Sequence, residues 1–220
     1  MELVTRAIGP LQTNVCLVGD PRTREAIIID GAIPGLPWVV DEVTRRSWRL
    51  LLIVSTHGHW DHAGENAALQ AWSRDQAADG VGAEIAAHPA DWYRLVDPQP
   101  LFAPFPIPPC VPAVELAEGG VVRIGDIRLD VLHTPGHTEG SVCLLAREPG
   151  VLFSGDTLFA SGWGRVDLPG GDAVAMADSL ARLAGLDPGL RVVPGHGRET
   201  TIAREQAWLE VVAKERRLPL

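Results

Sequence analysis

An α/β fold, with sheets covered by helices on their outer faces, is predicted by three observations on the 220-residue sequence. Short apolar, β-branched runs alternate with longer stretches of helical periodicity. Gly, Pro and Asp bound the short runs, which favours strand over buried helix. The order along the chain is strands, helix, strand, helix, strand, then again several strands, helix, strand, helix, and such a mixture implies sheets sandwiched by helices.

Strands are predicted at 13–20 (TNVCLVGD), 25–32 (EAIIIDGA), 50–57 (LLLIVSTH), 83–88 (AEIAAH), 121–134 (VVRIGDIRLDVLHT), 141–146 (SVCLLA), 151–157 (VLFSGDT) and 191–196 (RVVPGH). Helices are predicted at 37–48, where Pro37 suits a first turn, and at 62–74, 171–184 and 199–216. In the third of these, Val174, Ala177, Leu180, Ala181 and Ala184 recur at steps of three and four. The two halves share this plan without a residue-level repeat. One segment interrupts it: residues 98–112 (PQPLFAPFPIPPCVP) hold seven prolines in fifteen positions. Proline removes backbone donors and stops helix and central strand alike, so an extended loop is expected. Its Leu101, Phe102, Phe105 and Ile107 make it either a clamp across the domain or one apolar wall of a substrate mouth.

Composition narrows the class. A chain that is 46% hydrophobic and 21% charged fits one soluble globular domain over residues 1–220. At this length roughly 70% of the unfolded surface is buried, so no disulfide staples are needed. Nineteen Lys and Arg against 28 Asp and Glu, net −9, exclude the basic stripe that a nucleic-acid partner requires. Arg45, Arg46 and Arg49, and Lys214, Arg216 and Arg217, are assigned to solvated helix faces. Cys16, Cys110 and Cys143 form neither a disulfide framework nor a metal knuckle, and Cys16 and Cys143 sit in apolar runs as small buried hydrophobes. The N-terminus lacks a basic-then-apolar leader, and no apolar run approaches the ~20 residues that span a bilayer. No membrane partner and a cytoplasmic setting are expected.

The chemistry concentrates in STHGHWDHAGE, residues 55–65, directly after an apolar run. His57, His59, Asp61 and His62 fall within six positions at a strand's exit. Alternate residues of an extended backbone point the same way, so His57 and His59 can converge on one cation, while Asp61 and His62 turn with the loop toward a neighbouring position. Imidazole and carboxylate suit zinc, iron or manganese. His137 follows the turn-forming Pro135-Gly136, Asp156 follows an apolar strand in VLFSGDT and His196 follows another in VVPGHG, each at a predicted strand exit, where α/β folds place their sites. Five histidines and two aspartates suffice for two metals bridged by one carboxylate. His88 and His133 stand outside this set and are assigned to structure and packing.

THGHWDH, followed in order by TPGHT, SGDT and PGHG, resembles the metallo-β-lactamase superfamily over roughly residues 13–200. The resemblance implies an αββα four-layer sandwich with the metals at one edge of two sheets. It implies that His57, His59 and His137 hold one metal, that Asp61, His62 and His196 hold a second, and that Asp156 bridges both. Within the superfamily, HWDH is similar to glyoxalase II, and SGDTLFASGWGRVDLPGGD (154–172) to short bacterial glyoxalase II-like hydrolases. Class B β-lactamases are disfavoured, because they are exported and many use a cysteine ligand. After His196 only 24 residues follow, enough for one helix and not for the C-terminal helical domain that grips glutathione in full-length glyoxalase II.

The expected function is therefore metal-dependent hydrolysis of S-lactoylglutathione or a related hydroxyacyl thioester. The two divalent ions, with zinc favoured, would supply a bridging hydroxide as nucleophile. Asp61, His62 and Asp156 form the expected catalytic core, with Arg165 for a substrate carboxylate and Trp163 walling the mouth. An ion pair of Arg165 with Asp167, or Trp163 covering the core edge, are the structural alternatives. Thr56 and Thr138 are expected to orient the neighbouring histidines. Rival functions are a mono-iron persulfide dioxygenase, another hydrolase acting on a lactone or phosphodiester, and a purely structural metal site.

Overall fold

The computed structural model describes residues 1–99 and 103–219, so Leu101 and Phe102 of the proline-rich segment lie outside the described residues. Two six-stranded sheets carry the fold. The first is built from β1 (Glu2–Ile8), β2 (Thr13–Asp20), β3 (Glu25–Ile29), β4 (Arg49–Val54), β5 (Glu84–Ala87) and β6 (Val114–Glu115), in that order. The second runs from β7 (Val121–Ile124) through β8 (Ile127–His133), β9 (Val142–Ala146), β10 (Val151–Gly155) and β11 (Arg191–Pro194) to β12 (Thr200–Thr201). Strands β3 to β6 are parallel and β10 pairs parallel to β11, so each sheet is mixed. The helices are α1 (Leu36–Arg46), α2 (Trp60–Ala63), α3 (Asn66–Gln76), α4 (Trp92–Val96), α5 (Ala173–Leu183) and α6 (Ile202–Glu215).

Strands buried on both faces read as unbroken apolar runs, and the side-chain period of two distributes each run between two cores. In β2 and β3, Val15, Leu17, Ala26 and Ile28 join Val39 and Val43 of α1 and Leu69 of α3. Their neighbours Cys16, Val18, Ile27 and Ile29 face the second sheet, against Leu129, Val131, Leu144 and Phe153. On the far side Cys143, Leu145, Leu152 and Val192 meet Met176 and Leu180 of α5 and Leu209 and Val212 of α6. The layers are helix, sheet, sheet, helix, as the resemblance implies.

Several elements differ from the sequence reading, each for a local reason. The run 121–134 is the hairpin β7–β8, turning at Gly125 with φ +51. The helix expected at 62–74 is two pieces, α2 and α3, separated at Gly64 and Glu65, and the Glu65 carboxylate accepts from Gly35 N at 2.7 Å to cap α1. In α5 the buried side is Met176, Ala177, Leu180 and Leu183, whereas Val174 is exposed; Asp172 caps the helix by accepting from Val174 N and Ala175 N. Arg49 opens β4 rather than extending a helix face. The sequence reading omits β1, a poorly buried edge strand, together with the two-residue strands β6 and β12 and the short α4. Among the described residues of the proline-rich segment, Phe105 meets Trp60 edge-on at 5.6 Å and Cys110 N donates to Leu95 O. No helix among the described residues is long and apolar enough to cross a membrane.

Candidate metal centre

The two sheets meet at the ends of β4, β8, β10 and β11, where Val142 N donates to Thr56 O and Asn14 N to Gly195 O. His57 lies three residues beyond β4, His137 four beyond β8, Asp156 directly after β10 and His196 two after β11. The loop after β4 carries His59 and, on α2, Asp61 and His62. The structure thus gathers all seven residues of the expected ligand set at one edge. Three subsets each bring their ligand atoms within 4.8 Å of one another: His57, His59 and His137; His57, His62 and Asp156; and Asp61, His62 and His196.

Asp156 faces both groups. Its Oδ2 lies 3.4 Å from His137 Nε2 and 3.5 Å from His196 Nε2, and its Oδ1 lies 3.4 Å from His62 Nε2. Gly195 permits this placement, because a Cβ there would stand 2.2 Å from Asp156 Oδ1 and 2.7 Å from His62 Cε1.

Four of the five rings are turned by a partner behind them; among the described residues, His59 Nε2 is buried without one. His62 Nδ1 meets Asp30 Oδ2 at 2.8 Å, His137 Nδ1 meets the Arg165 carbonyl at 2.7 Å, and His196 Nδ1 meets the Leu11 carbonyl at 2.9 Å. Thr56 Oγ1 lies 3.2 Å from His57 Nδ1 and donates to Asp30 Oδ2 at 2.9 Å, so Thr56 does stand behind His57. Thr138 does not orient His137; its hydroxyl donates to Asp91 at 2.7 Å instead.

The donor set fits divalent cations. His59 Nδ1 faces His137 Nε2 at 2.9 Å and His62 Nε2 faces His196 Nε2 at 3.1 Å, so basic nitrogens converge in pairs. Among the described residues, His57 Nε2 and Asp156 Oδ1 are buried with no hydrogen-bond partner. Converging lone pairs repel unless a proton or a cation stands between them, and this mixture of imidazole and carboxylate suits borderline metals.

Charge is divided unevenly across the cluster. Burial, reinforced by the neighbouring imidazoles, holds His57 well below the usual histidine range and brings His59 down to about 3. Both are neutral, bare donors. Burial also opposes charge on His62 and His196, but Asp61 and Asp156 outweigh it and raise both. Burial alone would raise the Asp61 carboxyl; the charge of His62 and hydrogen bonds from His196 and His62 keep it ionised and below the usual range. A cation held at the Asp61 side would therefore displace protons.

A cavity of about 510 Å³ opens over the cluster, bordered by Leu11, Trp60, Phe159, Leu168 and Arg165. Arg165 reaches it while donating to Asp167 from Nε and Nη2 at 2.7 and 2.8 Å, so the guanidinium is both a lining group and half of an exposed ion pair. Trp163 departs from its expected place: its ring lies 5.6 Å from that of Trp208 and packs on the α5–α6 core, outside the cavity lining. His88 and His133 stack in parallel at 4.0 Å and stay outside the three ligand groups. A groove of about 580 Å³ at the starts of β4 and β5, lined by Trp48, Trp72 and Val81, holds none of the convergent histidines.

Two supporting carboxylates escape the sequence reading. Asp30, at φ +63 just after β3, accepts from Thr56 N and Thr56 Oγ1 besides meeting His62. Its strand-exit position beside Gly31 repeats the sequence signature of Asp156 beside Gly155. Asp91, fully buried, accepts from Gly58 N at 2.7 Å and Gly140 N at 3.0 Å and so ties the two ligand-bearing loops together.

Comparison with known proteins agrees with this geometry. A family model described as the metallo-beta-lactamase superfamily matches residues 8–196. The chain is 34% identical to a hydroxyacylglutathione hydrolase of Maricaulis maris, over 89% of this chain and 66% of that enzyme. Among solved structures it is similar to the BLEG-1 B3 metallo-beta-lactamase, with a TM-score of 0.82, 31% identity, and coverage of 94% of this chain and 97% of the other. ETHE1 from Myxococcus xanthus gives a TM-score of 0.79 at 27% identity, over 97% and 85%. TTHA1623, crystallised in a di-iron-bound form, gives 0.74 at 37% identity, over 93% and 96%.

Proposed function

The chain belongs to the metallo-β-lactamase superfamily, and from that premise we propose that it is a binuclear hydrolase of thioesters of the hydroxyacylglutathione type. The observation that carries the reading is the seven-residue His/Asp cluster, five of whose members line a cavity, in a chain related to a hydroxyacylglutathione hydrolase. His57, His59 and His137 would hold one cation, Asp61, His62 and His196 the other, with Asp156 shared. Zinc is the proposed occupant; iron is the metal in the TTHA1623 structure, and the same ligand types accept manganese. When bound, the cations would supply Lewis acidity and lower the pKa of a coordinated water to about 7.

The chain's own contribution is placement and exclusion of other nucleophiles. Asp30 and the carbonyls of Arg165 and Leu11 each meet an Nδ1, which leaves the Nε2 atoms of His62, His137 and His196 directed at the cluster. Among the described residues, neither the three cysteines nor Ser154 and Ser161 offer a covalent nucleophile. Burial pushes the thiols of Cys16, Cys110 and Cys143 up to about 12, 11 and 11, and Ser154 is fully buried and donates to Leu158 O. Ser161 is exposed and lacks a nucleophile elbow. A thiolate leaves without a general acid, so Asp61, His62 and Asp156 complete the catalytic core, and Arg165 at the rim receives a substrate carboxylate. The proposed partner is thus a small-molecule thioester, and the three unpaired cysteines suit the cytoplasm.

The test is S-lactoylglutathione hydrolysis measured beside metal content on the same purified protein. We expect about two metals per chain together with turnover. One iron per chain with oxygen uptake on glutathione persulfide overturns the proposal in favour of a dioxygenase. Turnover of a β-lactam and of no thioester shifts it to the activity named for the BLEG-1 structure. Asp156→Ala should loosen both metals and lower turnover by about 100-fold or more. Retention of both metals would remove Asp156 from its shared position.

A further inference from the structure

Apart from the candidate ligands, the cavity of about 510 Å³ is walled by Leu11, Trp60, Phe159 and Leu168, with Gly164 and Arg165 beside them. Trp60 is buried and braced edge-on by Phe105. The Phe159 ring stands 6.1 Å from that of His196, so apolar surface reaches the ligands themselves. Leu11, half-exposed on the turn between β1 and β2, completes the rim. Arg165 is the one Lys or Arg among the described lining residues, and its charge is already balanced by Asp167.

Resting on the thioester reading above, we propose that among thioesters the preferred substrate carries an apolar flank, aryl or branched alkyl, seated among Leu11, Trp60, Phe159 and Leu168, with a place for one carboxylate at Arg165. A glutathione thioester brings two carboxylates and an ammonium group to walls that offer one shared cation and hydrocarbon. Charged groups that lose water without gaining partners weaken binding. A volume of this size suits an acyl group and a small thiol together. In the reaction water adds to the carbonyl carbon and the C–S bond breaks, leaving a carboxylate, a thiol and one proton.

Four thioesters test this on the metal-loaded protein: lactoyl and phenylacetyl esters, each of glutathione and of N-acetylcysteamine. Every kcat/KM is divided by that ester's rate with hydroxide, which removes intrinsic reactivity. Phenylacetyl-N-acetylcysteamine should exceed S-lactoylglutathione by about tenfold or more. Leu168→Gln, and separately Leu11→Gln on the exposed turn, should each shrink that ratio by about threefold. In calorimetry on metal-free and metal-loaded protein, the phenylethyl thioether of N-acetylcysteamine should bind tighter than S-ethylglutathione, with a negative heat-capacity change. An equal or reversed kinetic ratio, with thioesters still cleaved, overturns the apolar flank and leaves the hydrolase standing. No turnover of any of the four overturns the hydrolase reading, and tighter thioether binding would still identify the cavity's preference.

Discussion

Gly195→Ala should empty the metal centre while leaving the fold intact. The added Cβ would lie 2.2 Å from Asp156 Oδ1 and 2.7 Å from His62 Cε1, closer than side-chain atoms approach one another. Asp156 and His62 must both move, and each belongs to more than one contact within the ligand set. Disturbing a group that merely orients a ligand typically costs 10- to 100-fold in metal affinity or activity, so displacing two ligands should cost about 100-fold or more in both. Gly195 does not have a left-handed backbone, so alanine adds no conformational strain there. Circular dichroism and the Tm of metal-free protein should therefore match those of the parent. Gly197→Ala is the control: its φ of +74 is strained for alanine, by about 1–2 kcal/mol, but no atom lies within 4 Å of the new Cβ. It should lose stability and keep its metals. If Gly195→Ala retains two metals and full turnover, Asp156 and His62 do not sit where the structure puts them.

Asp91→Ala should produce the largest loss of stability outside the hydrophobic layers. The carboxylate is fully buried and accepts from Gly58 N, Gly140 N and Thr138 Oγ1, with Arg94 Nη1 3.4 Å away. Alanine leaves Gly58 N and Gly140 N without their acceptor, the Thr138 hydroxyl with Ser141 Oγ as its remaining partner, and Arg94 with Glu139 as its remaining ionic partner. Removing one partner of a buried charged cluster typically costs about 3–5 kcal/mol. For a domain of this length each kcal/mol lowers Tm by about 2–4 °C, so the expected drop is roughly 6–20 °C. Asp91→Asn keeps one acceptor oxygen and should lose less. Thermal unfolding of the metal-free proteins measures both, and a change below about 1 kcal/mol for alanine would show that the two loops are held by something else.

The candidate ligands were legible because their signals are local: His57, His59, His137, Asp156 and His196 lie just beyond apolar runs beside Gly, and Asp61 and His62 follow within three residues of His59. The same locality explains β2, whose bounds are as expected, because both of its faces are buried and the run is unbroken. What escaped is set by distance along the chain. Asp91 acts through Gly58, Thr138 and Gly140, and none of those contacts leaves a mark in HPADW. Trp163 lies in the loop that borders the cavity, yet its ring is claimed by Trp208, 45 positions later in a different element. Val174 matched the helical period by sequence alone, but the capped start of α5 leaves it facing water. Period locates a stripe to within a residue or so; the cap fixes its rotation.

Two lining residues hold the cluster with one atom and the cavity with others. The Leu11 carbonyl meets His196 while its side chain borders the opening, and the Arg165 carbonyl meets His137 while its guanidinium does the same. Whatever enters and shifts either residue must also shift an imidazole behind it. Thermodynamic linkage makes that influence mutual: an occupant that favours one setting of these loops changes cation affinity by the same factor by which the cations change affinity for the occupant. Affinity for an occupant and affinity for cations would then be coupled through two backbone oxygens.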